Sequence, residues 1–520
     1  MLTGSQAAVP AGTSTQQQFV KGLGLFSATA IVAGSMVGSG IFIVSADMAR
    51  IVDSPALLIA AWLVTALMTI IGALSYGELA AMMPKAGGQY VYLREGLGPV
   101  WGFLYGWTLF LVIQTGTIAA VAVAFSKFLG VFFPSVSTKY WIWHGGHVPA
   151  IHLGPMVLGN MDFGLSTANL VSILLLTLLT ALNTLGVRLG AWIQNVFTSA
   201  KLLGLALIVI FGLVARNALA ISSNFANGNF WRNASWHTLH PVTVGEGGPT
   251  ALVGLLTVIA VVQVGSLFSS DAWNNVTFTA GEIENPRRNL PLSLALGTGI
   301  VLLLYVAVNF IYLAVLPLHG DPHSGSILGR GVQYASEDRV ATAVMKQAFA
   351  GYGERIMALV VLISTLGCVN GMILAGARVY YAMSEDGLFF RAAGRLSKAR
   401  VPAVSLWVQW AWTCLLCLSG SYGQLLDYVI FAVLVFYVLT LLALFRLRRT
   451  RPDAPRPYRA IGYPVLPALY IVMALFISGV LLRYKPQYTW PGLLIVLLGL
   501  PVYFFWRARS RAIVPFAAGK

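Results

Sequence analysis

Apolar residues run along this chain in stretches of roughly twenty, the length that crosses a bilayer as a helix, and polar residues collect between them. Spans are predicted near 23–43, 55–82, 100–131, 167–185, 191–214, 251–280, 291–316, 356–383, 404–418, 425–445, 465–482 and 491–506. Two of them are interrupted. The first carries Gly34, Gly38 and Gly40 with Ser35 and Ser39 in its middle, where a continuous helix loses most from residues that permit other backbone angles. The sixth reads Val264-Gly-Ser-Leu-Phe-Ser-Ser-Asp-Ala-Trp273. A broken helix inside a membrane is tolerated only where protein or a water-filled cavity satisfies the freed N–H and C=O groups. A face of small residues between two intact helices is the alternative reading of the first stretch.

Spans one to five and six to ten can be laid over one another, each set starting with a broken helix. Five is odd, so the second set is inverted, and the two breaks meet near the midplane. The expected organisation is an N-terminal tail at 1–21, a ten-helix core at 22–446, a basic loop at 447–463, two extra helices at 464–508 and a C-terminal tail at 509–520.

Composition supports lipid as the solvent. Of 520 residues, 58% are hydrophobic and 10% charged, more apolar surface than a soluble chain can hide. The first residues show no cleavable leader pattern. The net charge of +16 does not point to nucleic acid. Arg287 and Arg288, the group 391–400, the run 446–459, and Arg507, Arg509 and Arg511 fall on loops that one alternating topology puts on a single side. That is the excess of cytoplasmic loops, and it places both termini in the cytoplasm, in a plasma or inner membrane, with anionic headgroups as partners. Cys368, Cys414 and Cys417 sit in apolar runs and are expected to act as small hydrophobes. His144, His147, His152, His237 and His240 are irregularly spaced among turn residues and read as ordinary loop histidines. No metal or cofactor is expected. Asn233-Ala-Ser is an acceptor sequon on an outer loop.

Broken helices suit a zwitterion. N–H groups at the start of the second half-helix, around Ser39, Gly40 and Ile41, face a carboxylate in favourable dipole geometry. Carbonyls freed around 33–36 and 267–270 can receive an ammonium. Phe268 is placed to close over a bound side chain or to pack in the core, and Asp271 to cap the second half-helix or polarise the site. Lys201 lies deep in span five, where a cation costs about 2.5–3.5 kcal/mol and should face protein or water; snorkelling to an interface is the alternative. Glu78 with 84–90, and Glu282 with 283–291, put charges beside the membrane, as inner-gate pairs or as simple anchors.

These motifs together resemble the amino acid–polyamine–organocation superfamily, and within it the L-type amino acid transporters and their bacterial relatives. The resemblance rests on Gly-Ser-Gly-Ile-Phe42, Pro84-x-Ala-Gly-Gly-x-Tyr90, Phe268-Ser-Ser-Asp-Ala-Trp273, Glu284-Asn-Pro-x-Arg-Asn-Leu-Pro291 and Val369-Asn-Gly with Ala377-Arg-Val-Tyr-Tyr381. It covers about 22–446. It implies an all-α, twelve-helix, LeuT-like fold with a 5+5 inverted repeat and alternating access. Ser39 and Gly40, with Gly38, would hold the substrate carboxylate; Met36 would lie on the amino side; Phe268 would be the gate. Lys201 would replace a sodium ion of related carriers, with Ser364 and Thr365 as its neighbours. The chain departs from the animal members at Asp271-Ala and at Gln114-Thr, both bordering the pocket. It also lacks a cysteine before span four that would tether a heavy chain.

The resulting expectation is a sodium-independent amino acid carrier, an exchanger or proton-coupled symporter, working without an obligatory partner. A polyamine or organocation carrier on the same fold, and a sensor that binds amino acid without moving it, are the rivals. No nucleophile–base pair or metal constellation stands near the breaks, which disfavours an enzyme.

Overall fold

The computed structural model describes residues 19–149, 151–153, 156–158, 161–245, 248–418 and 422–513. The expectations for 1–18 and 514–520 of the two tails lie outside the described residues. The chain begins with α1 (Leu25–Met36), a 3₁₀ turn (Gly40–Phe42) and α2 (Val44–Val52). Then come α3 (Pro55–Met82), α4 (Gln89–Gly96), and α5 (Pro99–Thr108), which passes through a π-helical turn (Leu109–Ile113) into α6 (Gln114–Leu129). Strand β1 (Trp141–Val148) pairs with β4 (Met161–Ser166) around the smaller hairpin of β2 (Ile151–Leu153) and β3 (Met156–Leu158). Helices α7 (Thr167–Thr184), α8 (Val187–Val214) and α9 (Ala218–Phe225) follow, then the pair β5 (His240–Thr243) and β6 (Thr250–Val253). The second interruption separates α10 (Leu255–Ser269) from α11 (Asn275–Phe278). The remainder is α12 (Pro286–Val315), α13 (Ile327–Arg330), α14 (Val340–Phe349), α15 (Gly353–Glu385), α16 (Ala403–Cys417), α17 (Tyr422–Thr450), α18 (Val465–Tyr484) and α19 (Pro486–Ile513).

Among the described residues nine helical segments are long and apolar enough to cross a membrane, and α1, α10 and α16 are shorter apolar helices. Helices α1 and α10 are short because each stops at its break. Four of the long ones open with proline at the first helical position, Pro55, Pro99, Pro286 and Pro486, where the missing N–H has no carbonyl to lose. Ser166 caps α7 through its side chain.

Among the described residues the membrane-spanning elements are all helices, as the sequence reading expected, and strands occur only in connections. Two connecting segments form three two-stranded antiparallel sheets among the described residues, and β6 takes the first residues assigned to span six. Such connections are too polar and glycine-rich to continue as helix, so their backbone groups pair across hairpins instead.

The distribution of polarity is inverted relative to a soluble protein. Leu303, Leu203, Leu174 and Phe505 are exposed on the outer faces of long helices, whereas Thr65, Gln263, Asn309, Glu282, Arg378 and Lys201 are buried between them. Apolar outside and polar inside is stable when the surroundings are hydrocarbon. Helix α1 sits at the centre of this interior, packed on α8, α12 and α15.

Candidate functional site at two helix breaks

Both interruptions seen in the sequence are real breaks in the helical backbone. At the first, Val37 turns to φ −78°, ψ 92°, and the Gly38 amide bonds the Met36 carbonyl at 3.0 Å instead of continuing the helix to Gly34. At the second, Ala272 takes φ +64°, a left-handed conformation unusual for a residue with a Cβ, and Ser270 and Asp271 fold back on carbonyls 266–268.

The carbonyls freed at the first break are taken by side chains from three neighbouring helices. Lys201 of α8 donates through Nζ to Gly34 O at 2.7 Å, Val37 O at 2.8 Å and Ser364 O at 3.0 Å. Cys368 Sγ of α15 reaches Ser35 O at 3.1 Å. Ser364 Oγ lies 3.1 Å from both Val37 O and Gly38 O. Tyr305 of α12 shares its single proton between Met36 O at 3.3 Å and Ser269 O at 3.0 Å, so one hydroxyl ties the two breaks together. The expectation of free carbonyls at 33–36 is therefore corrected: Ala33 O accepts from Val37 N, and the other three accept from side chains. Met36 O already has two donors, the Gly38 amide and the Tyr305 hydroxyl, which fill both its lone pairs.

Lys201 is buried and central in α8, so snorkelling does not describe it. Its neighbour Ser364 is where the resemblance put it. Thr365 is not a partner of this kind: its hydroxyl bonds Val361 O at 2.8 Å and Leu362 O at 3.2 Å within its own helix.

Glycine is required where the breaks touch. A Cβ on Gly40 would fall 2.3 Å from Ser269 Oγ and 3.1 Å from Ser269 Cα, so this close approach welds the first break to the second. The N–H groups of Gly40 and Ile41, first in their turn, have no carbonyl within it to bond. Ser39 and Met36 are buried and Gly38 between them is half-buried, while Phe268 is half-buried against the core.

Asp271 does not cap α11, as the sequence suggested it could. That helix starts behind Asn274, which itself makes no side-chain cap bond, and Asp271 Oδ1 instead accepts from Tyr437 Oη of α17 at 2.5 Å. The two line a cavity of about 20 Å³ with Gln114, Asn275, Met372 and Phe436. That holds a water and no more, so a larger occupant requires the walls to part. The π-helical turn forms one of these walls. Its widened backbone leaves carbonyls that Thr115 Oγ1 and Trp412 Nε1 take up at Phe110 O and Leu111 O, a disposition frequent at functional sites.

At the end where α1 begins, Glu282 and Arg378 form a buried pair at 2.9 Å, and the amides of Gly22 and Leu23 bond Glu282 O. Glu78 accepts from Arg448 at 2.5 Å and from the Ala460 amide at 2.7 Å. At the opposite end Asp53 accepts from His319 Nε2 at 3.0 Å, Gln333 at 2.8 Å and Asn233 at 3.0 Å. The sequon asparagine Asn233 is thus engaged in the fold. His144 and His147 sit on β1 beside Asp162.

Sequence reasoning missed Tyr305, Tyr437 and the π-helical turn. A tyrosine in an apolar helix reads as packing, and nothing local in 109–113 marks a π turn. The buried polar run Gln194, Thr198 and Asn370, which holds α1 to α8 and α15 through Ala30 O and Gly190 O, was legible only as polar residues in apolar spans.

A family model described as Amino acid permease matches residues 23–502. The chain is 28% identical over 500 residues to the b(0,+)-type amino acid transporter 1 of Rattus norvegicus, covering 96% of this chain and 89% of the other. It is 27% identical over 498 residues to the serine/threonine exchanger SteT of Bacillus subtilis, covering 94% and 98%. To the large neutral amino acids transporter small subunit 2 of Mus musculus it is 28% identical over 502 residues, covering 95% and 83%.

Proposed function

Because the chain belongs to the amino acid permease family, we propose that it is a sodium-independent secondary transporter that carries amino acids across a membrane by alternating access. The twelve apolar segments then form a LeuT-like 5+5 inverted repeat with two added helices, both termini lying in the cytoplasm of a cell bounded by this membrane. Breaks at corresponding positions, in α1 and between α10 and α11, support that arrangement.

The observation that carries the reading is Lys201. Its ammonium lies among Gly34 O, Val37 O and Ser364 O, so a built-in cation already occupies the oxygen cluster that a free cation would need. Substrate carboxylate is assigned to the stretch Gly38, Ser39 and Gly40, with the N–H groups from Ser39 to Ile41 as donors, the amino group to the Met36 side, and gating to Phe268. Closure at the end where α1 begins is assigned to Glu282 with Arg378, which the two-sided burial of that pair supports. The coupling mode is exchange or proton symport through Lys201 and Ser364.

A second reading of specificity follows from Asp271. A half-buried carboxylate on the cavity wall favours side chains that bring a hydrogen-bond donor or a second positive charge. Polyamines, which lack a carboxylate, leave the Gly40 and Ile41 amides unanswered.

The relative named as a small subunit implies an assembly for that protein. For this chain, whose cysteines are at 368, 414 and 417, we propose that no disulfide-tethered partner is needed. The test of the whole reading is counterflow of labelled amino acids into proteoliposomes holding the purified chain alone, with choline in place of sodium. Accumulation against an internal unlabelled amino acid is expected. Binding without accumulation identifies a sensor, a strict sodium requirement contradicts the role of Lys201, and dependence on a second chain contradicts solitary action.

A further inference from the structure

A groove of about 500 Å³, separate from the breaks, opens on the outer face of the bundle between α1, α8 and α12. Phe26, Thr29, Thr198, Leu202, Leu296 and Ile300 line it. Its threonines do not make it polar. Thr29 Oγ1 donates to Leu25 O at 2.9 Å and Thr198 Oγ1 to Ala30 O at 3.0 Å, so the groove presents methyl and methylene surface.

Basic residues stand at one end of it. Helices α1, α8 and α12 all begin at the same end of the bundle, and near their starts lie Lys21, Arg188, Arg287 and Arg288, all exposed. Backbone contacts hold these starts together: Leu23 bridges Ile283, the Glu284 amide bonds Leu23 O, and a Cβ on Gly22 would touch Arg188 Cγ at 3.8 Å. Among the described residues none of the four cations forms an ion pair, and the acid beside them is Glu284, whose Oε2 lies 3.7 Å from the Cβ position of Gly24. From Arg188 to Thr198, and from Arg288 to Leu296, is about 12–15 Å along a helix. An unneutralised basic mouth leading into an apolar slot of that depth matches a phosphate headgroup followed by an acyl chain.

We propose that this groove is a site for one anionic phospholipid, its acyl chain lying between α1, α8 and α12 and its phosphate among Lys21, Arg188, Arg287 and Arg288. A lipid seated there braces α1, the half-helix whose far end carries the first break, against two neighbours. The site rests on the chain crossing a membrane but not on transport, so its test reads binding and stability alone.

The purified full-length chain is stripped of lipid in neutral detergent and titrated with phosphatidylglycerol or with phosphatidylcholine of the same acyl chains, followed by native mass spectrometry and thermal unfolding. One retained phosphatidylglycerol, in clear excess over phosphatidylcholine, and a raised unfolding temperature are expected. Substituting Lys21→Gln, Arg188→Gln, Arg287→Gln and Arg288→Gln one after another should weaken retention on the order of fivefold for each charge removed. Ser199→Trp, at an exposed position on the groove wall, should evict the lipid with every charge in place, while Leu498→Trp, exposed on α19, which packs on α5 and α17, should not. Equal retention of the two lipids, or phosphatidylglycerol held as firmly by the fourfold variant or by Ser199→Trp, would overturn the proposal.

Discussion

Lys201 Nζ donates to the Gly34 carbonyl at 2.7 Å, the acceptor that α1 gives up when the Gly38 amide turns back to Met36. The break and the lysine are thus two halves of one arrangement: the chain can leave the helix at Gly34 because a side chain from α8 takes the vacated place. Replacing Lys201 with Ala leaves the buried Gly34 carbonyl without its donor, at about 1–3 kcal/mol, while Val37 O keeps the Ser364 hydroxyl. Amino acid counterflow should fall at least about tenfold, roughly 1.4 kcal/mol in the transport step. Wild-type rates in this variant would detach the lysine from the mechanism.

Tyr305→Phe removes the hydroxyl shared by Met36 O and Ser269 O and leaves the ring in place. A net hydrogen bond of about 1 kcal/mol predicts a several-fold loss of substrate affinity by thermal shift or isothermal titration. Tyr312→Phe, whose hydroxyl reaches only Ile41 O at 3.1 Å, should cost less. Equal effects would show that bridging the breaks is not what matters.

Gly40→Val should abolish substrate binding while the protein still inserts and elutes as wild type. A Cβ there collides with Ser269, which pushes the breaks apart and redirects the amides assigned to the carboxylate. Unchanged affinity would move the binding site elsewhere.

Glu282→Gln leaves Arg378 buried without its counter-charge, a loss of about 3–5 kcal/mol for breaking such a pair. The double variant Glu282→Leu, Arg378→Met should recover most of that stability, since no charge then remains buried. Unfolding temperatures of the single and double variants decide this. If the double variant restores the fold yet slows transport, the pair acts in closure.

Asp53 gives the pH prediction. The His319 hydrogen bond, helped by those from Gln333 and Asn233, holds its carboxyl below the usual carboxylate range. A carboxylate depressed on folding contributes stability that is complete above its unfolded value, near 3.9, and is lost as pH falls through the folded value. Acid should therefore loosen the junction between α2 and the loops carrying Asn233, His319 and Gln333. Asp53 and His319 are each about two-fifths exposed, so solvent screening keeps the effect small. Hydrogen exchange at 49–55 should rise in wild type between about pH 4 and pH 3, and should already be high in Asp53→Asn; flat exchange across that range would contradict it.

Much of the protein was legible in its sequence because bilayer solvation is a local constraint. Twenty apolar residues must span as helix wherever they fall, and Gly34, Gly38 and Gly40, like Ser269, Ser270 and Asp271, weaken a helix whatever surrounds them. The position of both breaks, and the need for a partner at Lys201, follow from such one-dimensional facts. The hairpins were hidden because pairing is a property of two segments, while apolar length is a property of one. What lies across from a residue could be decided only by folding. Tyr305 became a bridge because α12 packs against both breaks, Asp271 turned to Tyr437 because α17 runs past it, and Thr365 points back into its own helix although Ser364, one position earlier, does not. Sequence determined where the backbone must give up its own hydrogen bonds, since that depends on each residue's conformational freedom; tertiary packing decided which side chains replace them, since that depends on distances between helices that no single stretch encodes.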